Sequence, residues 1–196
     1  MAAALVIATI PTALAAGGIF SDVPKGAWYA DAVDYVYEHG IMNGTSSTTF
    51  SPNSPMTRAM LVTVLHRAAG SPSAATGTAF SDVPSNAYYT DAVAWASANG
   101  IVTGYGNGRF GSNDPVSRAQ IATILWRYAG SPGAEAGQNF ADESSIPSYA
   151  SAAVLSTVDG FSFCGPYILV KKLIESVFIS PSRAGCSGCS SRSKPN

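Results

Sequence analysis

The sequence predicts a mainly α-helical protein that is built from tandem repeats of two helices each. The first observation is internal repetition, because many residues recur sixty positions later without a gap. Each copy also contains two stretches in which apolar residues have helical spacing. Glycine or proline closes each of these stretches. The recurring segments include Phe20-Ser21-Asp22-Val23-Pro24 with Phe80-Ser81-Asp82-Val83-Pro84, Gly40-Ile41 with Gly100-Ile101, Pro55 with Pro115, and Gly70-Ser71-Pro72 with Gly130-Ser131-Pro132.

The repetition divides the chain into units. Residues 20–72 form repeat 1 and residues 80–132 form repeat 2. A partial repeat 3, residues 140–160, starts on schedule and stops at the glycine that corresponds to Gly40 and Gly100. Residues 161–196 leave the pattern abruptly, as a truncated or frameshifted third copy would. The Ser, Gly, Arg and Lys residues at the end of this tail are typical of a disordered segment.

The first helix of each repeat is short. In repeat 1, Ala32, Val33, Val36 and Tyr37 lie on one helical face, and Gly40 follows where a left-handed C-terminal cap is expected. The corresponding residues of repeat 2 predict a second helix of about two turns.

The second helix of each repeat begins after an N-cap residue, Thr57 or Ser117. Ser117 and Gln120 have the spacing of a capping box, whereas Met60 removes the box in repeat 1. The helices then present a broad apolar face, made by Leu61, Val62, Val64, Leu65 and Ala68 in repeat 1 and by Ile121, Ala122, Ile124, Leu125 and Ala129 in repeat 2. The Gly-, Asn-, Ser- and Pro-rich segments before these helices predict loops or tight hairpins.

Composition and charge exclude some classes of partner. Eleven basic and twelve acidic residues give a formal charge of -1, so nucleic acid is not an expected partner. Charged residues make up 12% of the chain, about half of the ~25% in ordinary soluble domains. This profile favours an extracellular surface protein.

Residues 1–15 are apolar and end in Ala13-Leu14-Ala15, which has the form of a signal-peptidase site. We interpret them as an export signal, although no Lys or Arg precedes the apolar run. A buried helix or strand is the alternative. Pro11 interrupts the run, and the run is shorter than the ~20 residues that span a bilayer, so no membrane span is expected.

The cysteines and histidines do not form a pattern of catalysis or metal binding. Cys186 and Cys189 have C-x-x-C spacing, but no second pair or nearby histidine completes a zinc site. His39 and His66 have no histidine at the equivalent position of the other copy and belong to no catalytic motif. The sequence therefore predicts neither a metal nor a cofactor, and a protein that is not an enzyme.

Arg58 and Arg118 occupy an unusual position, the first residue of the second helix. A cation there opposes the helix dipole and costs up to about 1 kcal/mol. The position is favourable if the guanidinium and the free backbone N–H groups bind an external carboxylate or phosphate. The alternative is an ion pair with an acidic residue of a neighbouring repeat, for instance Asp22, Asp82 or Asp142.

These motifs resemble the S-layer homology domain family. The resemblance covers residues 20 to about 160 and depends on the Phe-x-Asp-Val, Gly-Ile-x-x-Gly and Thr-Arg-Ala segments. It implies three repeats in a pseudo-threefold spindle, with the second helices in a central bundle. It also implies a secreted protein whose inter-repeat grooves bind secondary cell-wall polysaccharide, often through a pyruvate ketal.

The resemblance implies the following carbohydrate-binding residues. Arg58 and Arg118 would bind the pyruvyl carboxylate, with Thr57 and Ser117 capping beside them. Asp22 and Asp82 match an acidic position that would accept sugar hydroxyls. The remaining candidates are Trp28 and Tyr88, which either stack on sugars or anchor the core, and the repeated loop glycines Gly44 and Gly104. The predicted function is a non-catalytic anchor, and the alternative is the anchoring portion of a secreted wall-active enzyme.

Overall fold

The computed structural model describes residues 18–74, 77, 80–133 and 141–158. The predicted signal sequence, the start of partial repeat 3 at Phe140 and the tail from residue 161 lie outside these ranges. Among the described residues the regular elements are helices, with no strand, so the all-α prediction is confirmed. The helices are α1 (Ala30–Glu38), α2 (Arg58–Ala68), α3 (Thr90–Ala98), α4 (Arg118–Tyr128) and α5 (Ser151–Val158), with a short 3-10 helix at Glu143–Ser145.

The first helices, α1 and α3, end as predicted. Gly40 has φ +65° and Gly100 has φ +69°, both in the left-handed region that glycine adopts without strain. After α1, the Ile41 N–H donates to the Val36 carbonyl and the Gly40 N–H donates to the Tyr37 carbonyl. This pair of hydrogen bonds is a Schellman motif, which satisfies carbonyls at the helix end.

The second helices, α2 and α4, begin at the predicted caps. The Thr57 side chain accepts a hydrogen bond from the Met60 N–H. In α4, Ser117 accepts from the Gln120 N–H at 3.3 Å, and the Gln120 Oε1 accepts from the Ser117 N–H at 3.1 Å. The capping box is therefore confirmed in repeat 2.

The main core joins the two repeats. Helix α2 packs against α3, and α4 packs against α5, so each second helix contacts the first helix of the next repeat. The buried side chains of this core are Leu61, Val62 and Leu65 from α2, Val93 and Ala96 from α3, Phe110 from a loop, and Ile121, Ile124 and Leu125 from α4. The second helices share one core, as a central bundle requires. The described residues hold two second helices, so the pseudo-threefold spindle stays a prediction.

The segments before α2 and α4 are loops, as predicted, and each turns at a glycine. Gly44 has φ +80° and Gly104 has φ +65°. A Cβ on Gly104 would lie 2.6 Å from the Arg109 carbonyl oxygen and 2.6 Å from the Phe80 ring. A Cβ on Gly44 would meet the Thr49 carbonyl oxygen and the Phe20 ring at the same distances. The close packing of the ring and the turn therefore explains these two glycines.

None of the described helices has the length and apolar character that crossing a bilayer requires.

Candidate functional site

The side chain of Arg58 is buried between the two repeats. Only 5% of the residue is exposed, although it is the first residue of α2. Its Nε donates to the Phe110 carbonyl at 2.9 Å, and its guanidinium carbon lies 4.8 Å from the centre of the Tyr105 ring and 5.0 Å from that of Phe110. All these groups belong to repeat 2. Arg58 therefore connects repeat 1 to the loop that precedes α4.

The backbone at the start of α2 pairs with the same loop. The Arg58 N–H donates to the Asp114 carbonyl at 3.0 Å, and the Ala59 N–H donates to the Ser112 carbonyl at 3.1 Å. In return, the Val116 N–H donates to the Met56 carbonyl at 2.9 Å. These bonds correct one premise of the sequence argument, because the first N–H groups of α2 are not free for an external anion.

The environment of Arg58 differs from the second alternative, the ion pair, and binding of an external anion by its guanidinium stays a prediction. Among the described residues no acidic side chain pairs with Arg58, and a carbonyl and two aromatic rings surround it instead. Its two terminal guanidinium nitrogens have no hydrogen-bond partner in the described part of the chain. These nitrogens have the planar geometry that binds a carboxylate with two parallel hydrogen bonds.

Arg118, the equivalent residue of repeat 2, has a different environment. It is exposed, and it forms no hydrogen bond or ion pair with the residues that the structure describes. The N–H groups of Arg118 and Ala119 likewise have no acceptor there. Within the described residues, the first N–H groups of α4 are therefore open, as the sequence argument assumed for both arginines.

Asp22 and Asp82 each hold a loop of their own repeat. The two carboxylate oxygens of Asp82 accept hydrogen bonds from the Phe110 N–H at 2.7 Å and the Gly111 N–H at 2.8 Å. Asp22 accepts from Phe50 and Ser51 at 2.8 and 2.7 Å. Both aspartates therefore have a structural role, and their predicted contact with sugar hydroxyls stays a prediction.

Hydrogen bonding changes the acidity of both carboxyl groups. The hydrogen bond from the Phe50 N–H lowers the pKa of Asp22, and burial opposes this in part. Burial raises the pKa of Asp82, but the hydrogen bonds from Phe110 and Gly111 and the charge of Arg109 outweigh it, so this pKa also lies below its usual value of 3.8. Arg109 Nε is 3.9 Å from Asp82 Oδ2, a weak and largely exposed ion pair.

Replacing Asp82 with Asn is expected to lower the free energy of unfolding by about 1–2 kcal/mol, because the charged acceptor is lost and the new amide NH₂ faces an N–H donor. The lowered pKa means that the ionised carboxylate stabilises the folded protein above pH 3.8, and that this stability is lost as the pH falls through the folded-state pKa. Urea unfolding at several pH values should show a weaker loss of stability in acid for D82N than for the parent. Equal pH dependence of the two proteins would contradict the assignment.

The two aromatic candidates, Trp28 and Tyr88, are exposed. Trp28 is 54% and Tyr88 is 66% exposed, so neither is a buried core anchor. Burial and the neighbouring Tyr89 raise the pKa of Tyr88, and the positive charge of Arg67 opposes this. Arg67 is near the end of α2 and Arg58 is at its start, about 14 Å apart at the helical rise. Tyr88 and Arg58 therefore belong to different parts of the repeat junction.

The residues that sequence reasoning missed at this junction are Tyr105, Phe110, Ser112 and Asp114. The recurrence of Phe50 as Phe110 was a signal for one of them. Tyr105 has Thr45 as its equivalent, so the repeat pattern gives no signal for it. Ser112 and Asp114 contribute backbone carbonyls, which any residue type supplies.

The described residues contain no group of three or more His, Cys, Asp or Glu side chains that would hold a metal ion. His66 is a packing residue, since its ring lies 5.3 Å from Trp95 and its Nε2 is 2.9 Å from the Pro72 carbonyl oxygen. Trp126, its equivalent in repeat 2, donates to the Pro132 carbonyl in the same way. The three cysteines lie outside the described residues.

Comparison with known proteins identifies the repeats. The family model of the S-layer homology domain matches residues 19–59 and 79–122. An endoglucanase of Bacillus sp. (strain KSM-635) is 37% identical over 108 residues, which are 55% of this chain and 11% of that protein. A cell surface protein of Thermoanaerobacter kivui is 33% identical over 132 residues, 65% of this chain and 17% of that protein. The S-layer protein Sap of Bacillus anthracis is 31% identical over 126 residues, 64% of this chain and 15% of that protein.

The chain thus spans less than a fifth of the length of each of these relatives. The endoglucanase matches through its S-layer homology part, so the similarity does not extend to a catalytic domain. The matched family and the S-layer relatives confirm the predicted location at the cell surface, in association with the cell wall.

Proposed function

Because residues 19–59 and 79–122 belong to the S-layer homology domain family, we propose that the chain is a non-catalytic anchoring module that binds secondary cell-wall polysaccharide. The family match carries this proposal. The relatives include surface-layer proteins and an enzyme, and the enzyme matches this chain through its S-layer homology part. The module attaches a protein to the wall, and the cargo differs between relatives.

The ligand we propose is a pyruvylated, and therefore anionic, glycan. The exposed Arg118 stands at the N-terminus of α4, where the first N–H groups have no acceptor among the described residues. A carboxylate there would receive hydrogen bonds from the guanidinium and from these N–H groups. At the junction of the repeats, Arg58 has two terminal nitrogens without a partner in the described residues, beside the half-exposed ring of Tyr105. Both arginines would bind negative charge, and a neutral sugar would leave them unpaired.

Replacing Arg118 with Ala is expected to weaken binding to purified wall polysaccharide by about tenfold to a hundredfold. The reason is the loss of charge-assisted hydrogen bonds, each worth about 1.5–3 kcal/mol, at about 1.4 kcal/mol per factor of ten. Co-sedimentation with the polysaccharide and isothermal titration calorimetry measure the change. Lys25→Ala is the matched control, since Lys25 is also exposed and its removal changes the net charge equally.

The chemical nature of the anion is tested on the polysaccharide itself. Mild acid hydrolysis that removes the ketal and leaves the sugar backbone intact should abolish binding. Binding to the intact polymer should weaken only modestly with salt, because one or two fixed contacts release few counterions. Equal retention of the native and depyruvylated polymers would contradict the carboxylate assignment and favour stacking of neutral sugars on Trp28 and Tyr88. Stacking on these two rings is tested by measuring the polysaccharide binding of the variants W28A and Y88A, which should then be weaker than that of the parent.

A second candidate function is the anchoring portion of a secreted wall-active enzyme. The endoglucanase relative favours it, because an S-layer homology region and a catalytic region occur there in one protein. The genomic reading frame around this sequence distinguishes the two candidates. A catalytic domain in the same frame would support the enzyme anchor.

A further inference from the structure

Equivalent positions of the two repeats differ in exposure in a consistent way. Arg58 is 5% exposed, whereas Arg118 is exposed. In the loops the order is reversed, since Phe110 is fully buried and Phe50 is only partly buried. Repeat 1 therefore has a covered helix start and an uncovered loop, and repeat 2 has the opposite.

The contact between the repeats explains this asymmetry. The start of α2 covers the loop of repeat 2 through the Arg58 side chain and three backbone hydrogen bonds. Within the described residues nothing covers the equivalent loop of repeat 1, and the start of α4 covers nothing. The described residues therefore form one completed junction and leave two complementary ends without a contact.

We call the first open end the acceptor groove, which is lined by residues 50–52 and 54–56 with Met42, Thr45 and Met60. It is a shallow groove with a volume of about 60 Å³, lined mainly by apolar atoms. The carbonyls of Phe50, Pro52 and Ser54 are equivalent to the three that accept hydrogen bonds from the start of α2. No donor for them is present in the described part of the chain. The second open end, Ser117–Ala119, is the donor end.

We infer that the donor end of one chain docks into the acceptor groove of a second copy of the same chain. The contacts of the docked pair follow from those of the completed junction when each residue is replaced by its equivalent sixty positions away. The Arg118 N–H would donate to the Ser54 carbonyl, the Ala119 N–H to the Pro52 carbonyl, and the Arg118 Nε to the Phe50 carbonyl. Such a contact joins two different surfaces, so it builds head-to-tail dimers or longer chains.

The tail of the same chain is the competing occupant. Its Ser182-Arg183-Ala184 segment repeats the donor triplet, but Gly-Cys-Ser-Gly follows it at residues 185–188. In α2 and α4 the triplet is followed by apolar residues that pack into the shared core, such as Leu61 and Ile121. Glycine-rich sequence supplies neither this apolar face nor a stable helix. The second copy therefore fits the groove better than the tail.

One substitution makes the intermolecular contact weaker than the internal one. Thr45 stands where Tyr105 stands in repeat 2, so the docked guanidinium would contact one aromatic ring and not two. In the docked pair the two terminal nitrogens of Arg118 would have no hydrogen-bond partner, like those of Arg58 among the described residues. The docked contact does not rest on the proposed glycan function. Because it uses the Arg118 and Ala119 N–H groups that are also proposed to bind the glycan carboxylate, a second copy and the polysaccharide would compete for the donor end.

The test is sedimentation velocity of the full chain over a range of concentrations, without polysaccharide. The mean mass should rise with concentration. Arg118→Glu should weaken association by at least about tenfold, because it removes the guanidinium and places a carboxylate against carbonyl oxygens. Glu at this helix position agrees with the dipole, so a loss of association would not come from unfolding. Ser54→Arg should block the acceptor groove, since it places a cation against the incoming Arg118.

Mixing the two blocked variants is the decisive experiment. Each should be monomeric alone, but a mixture joins the intact donor end of S54R to the intact acceptor groove of R118E, so association should return. The second contact in the mixture places the new carboxylate of R118E against the new guanidinium of S54R, an opposite-charge pair, so species larger than a dimer also agree with the inference. Lys25→Glu, with the same charge change as R118E, should associate like the parent. A full chain that stays monomeric at every concentration, or a mixture of R118E and S54R that stays monomeric, would overturn the inference. An effect of Arg183→Glu without an effect of R118E would assign the groove to the tail and overturn it too.

Discussion

Replacing Arg58 with Ala is expected to lower the free energy of unfolding by about 3 kcal/mol, whereas Arg118→Ala should change it by less than about 0.5 kcal/mol. Arg58 donates to the Phe110 carbonyl and lies against two rings in a buried position, so its removal leaves a cavity and an unpaired acceptor. Arg118 is exposed and has no such contacts with the described residues. Urea denaturation followed by circular dichroism measures both changes.

Arg58→Lys is the control for this comparison. It keeps the charge but lacks the planar guanidinium that lies between Tyr105 and Phe110, so we expect an intermediate loss of stability. The helix-dipole argument alone predicts that either arginine can be removed without loss, and even with a small gain. Equal unfolding midpoints for R58A and R118A would therefore show that the junction contacts do not stabilise the protein.

Much of the local structure could be predicted from the sequence. The caps at Thr57 and Ser117, the capping box with Gln120 and the left-handed glycine at Gly40 depend on residues within a few positions of one another. Interactions over such short distances are fixed by residue type and spacing. For this reason the starts of α2 and α4 agree with the sequence prediction to the residue.

The contacts between repeats could not be predicted in the same way. Arg58 and Phe110 are separated by 52 residues, and the interaction uses a backbone carbonyl that leaves no mark in the sequence. Repetition by sixty also suggested that Arg58 and Arg118 have the same surroundings. They do not among the described residues, because the loop of repeat 2 lies against Arg58, whereas the described part of repeat 3 contains no equivalent loop beside Arg118.

Gly104→Ala should be one of the most destabilising single substitutions in the loops, with a loss of about 3 kcal/mol or more. Two costs add at this position. The backbone has φ +65°, which an L side chain adopts only with strain, and the new Cβ would lie 2.6 Å from the Arg109 carbonyl oxygen. The obstructing oxygen belongs to the backbone of a tight turn, where the Tyr105 N–H donates to it, so it cannot move away easily.

Gly100→Ala separates these two costs. Gly100 has nearly the same backbone angle, φ +69°, but a Cβ there would meet nothing within 4 Å. This variant should lose only the conformational cost, about 1 kcal/mol, as expected for a non-glycine residue in the left-handed region. Thermal and urea unfolding of the two variants in parallel give the difference, which is the steric contribution at Gly104. If G104A and G100A were equally stable, the packing of the turn against Phe80 would not be the reason for the glycine.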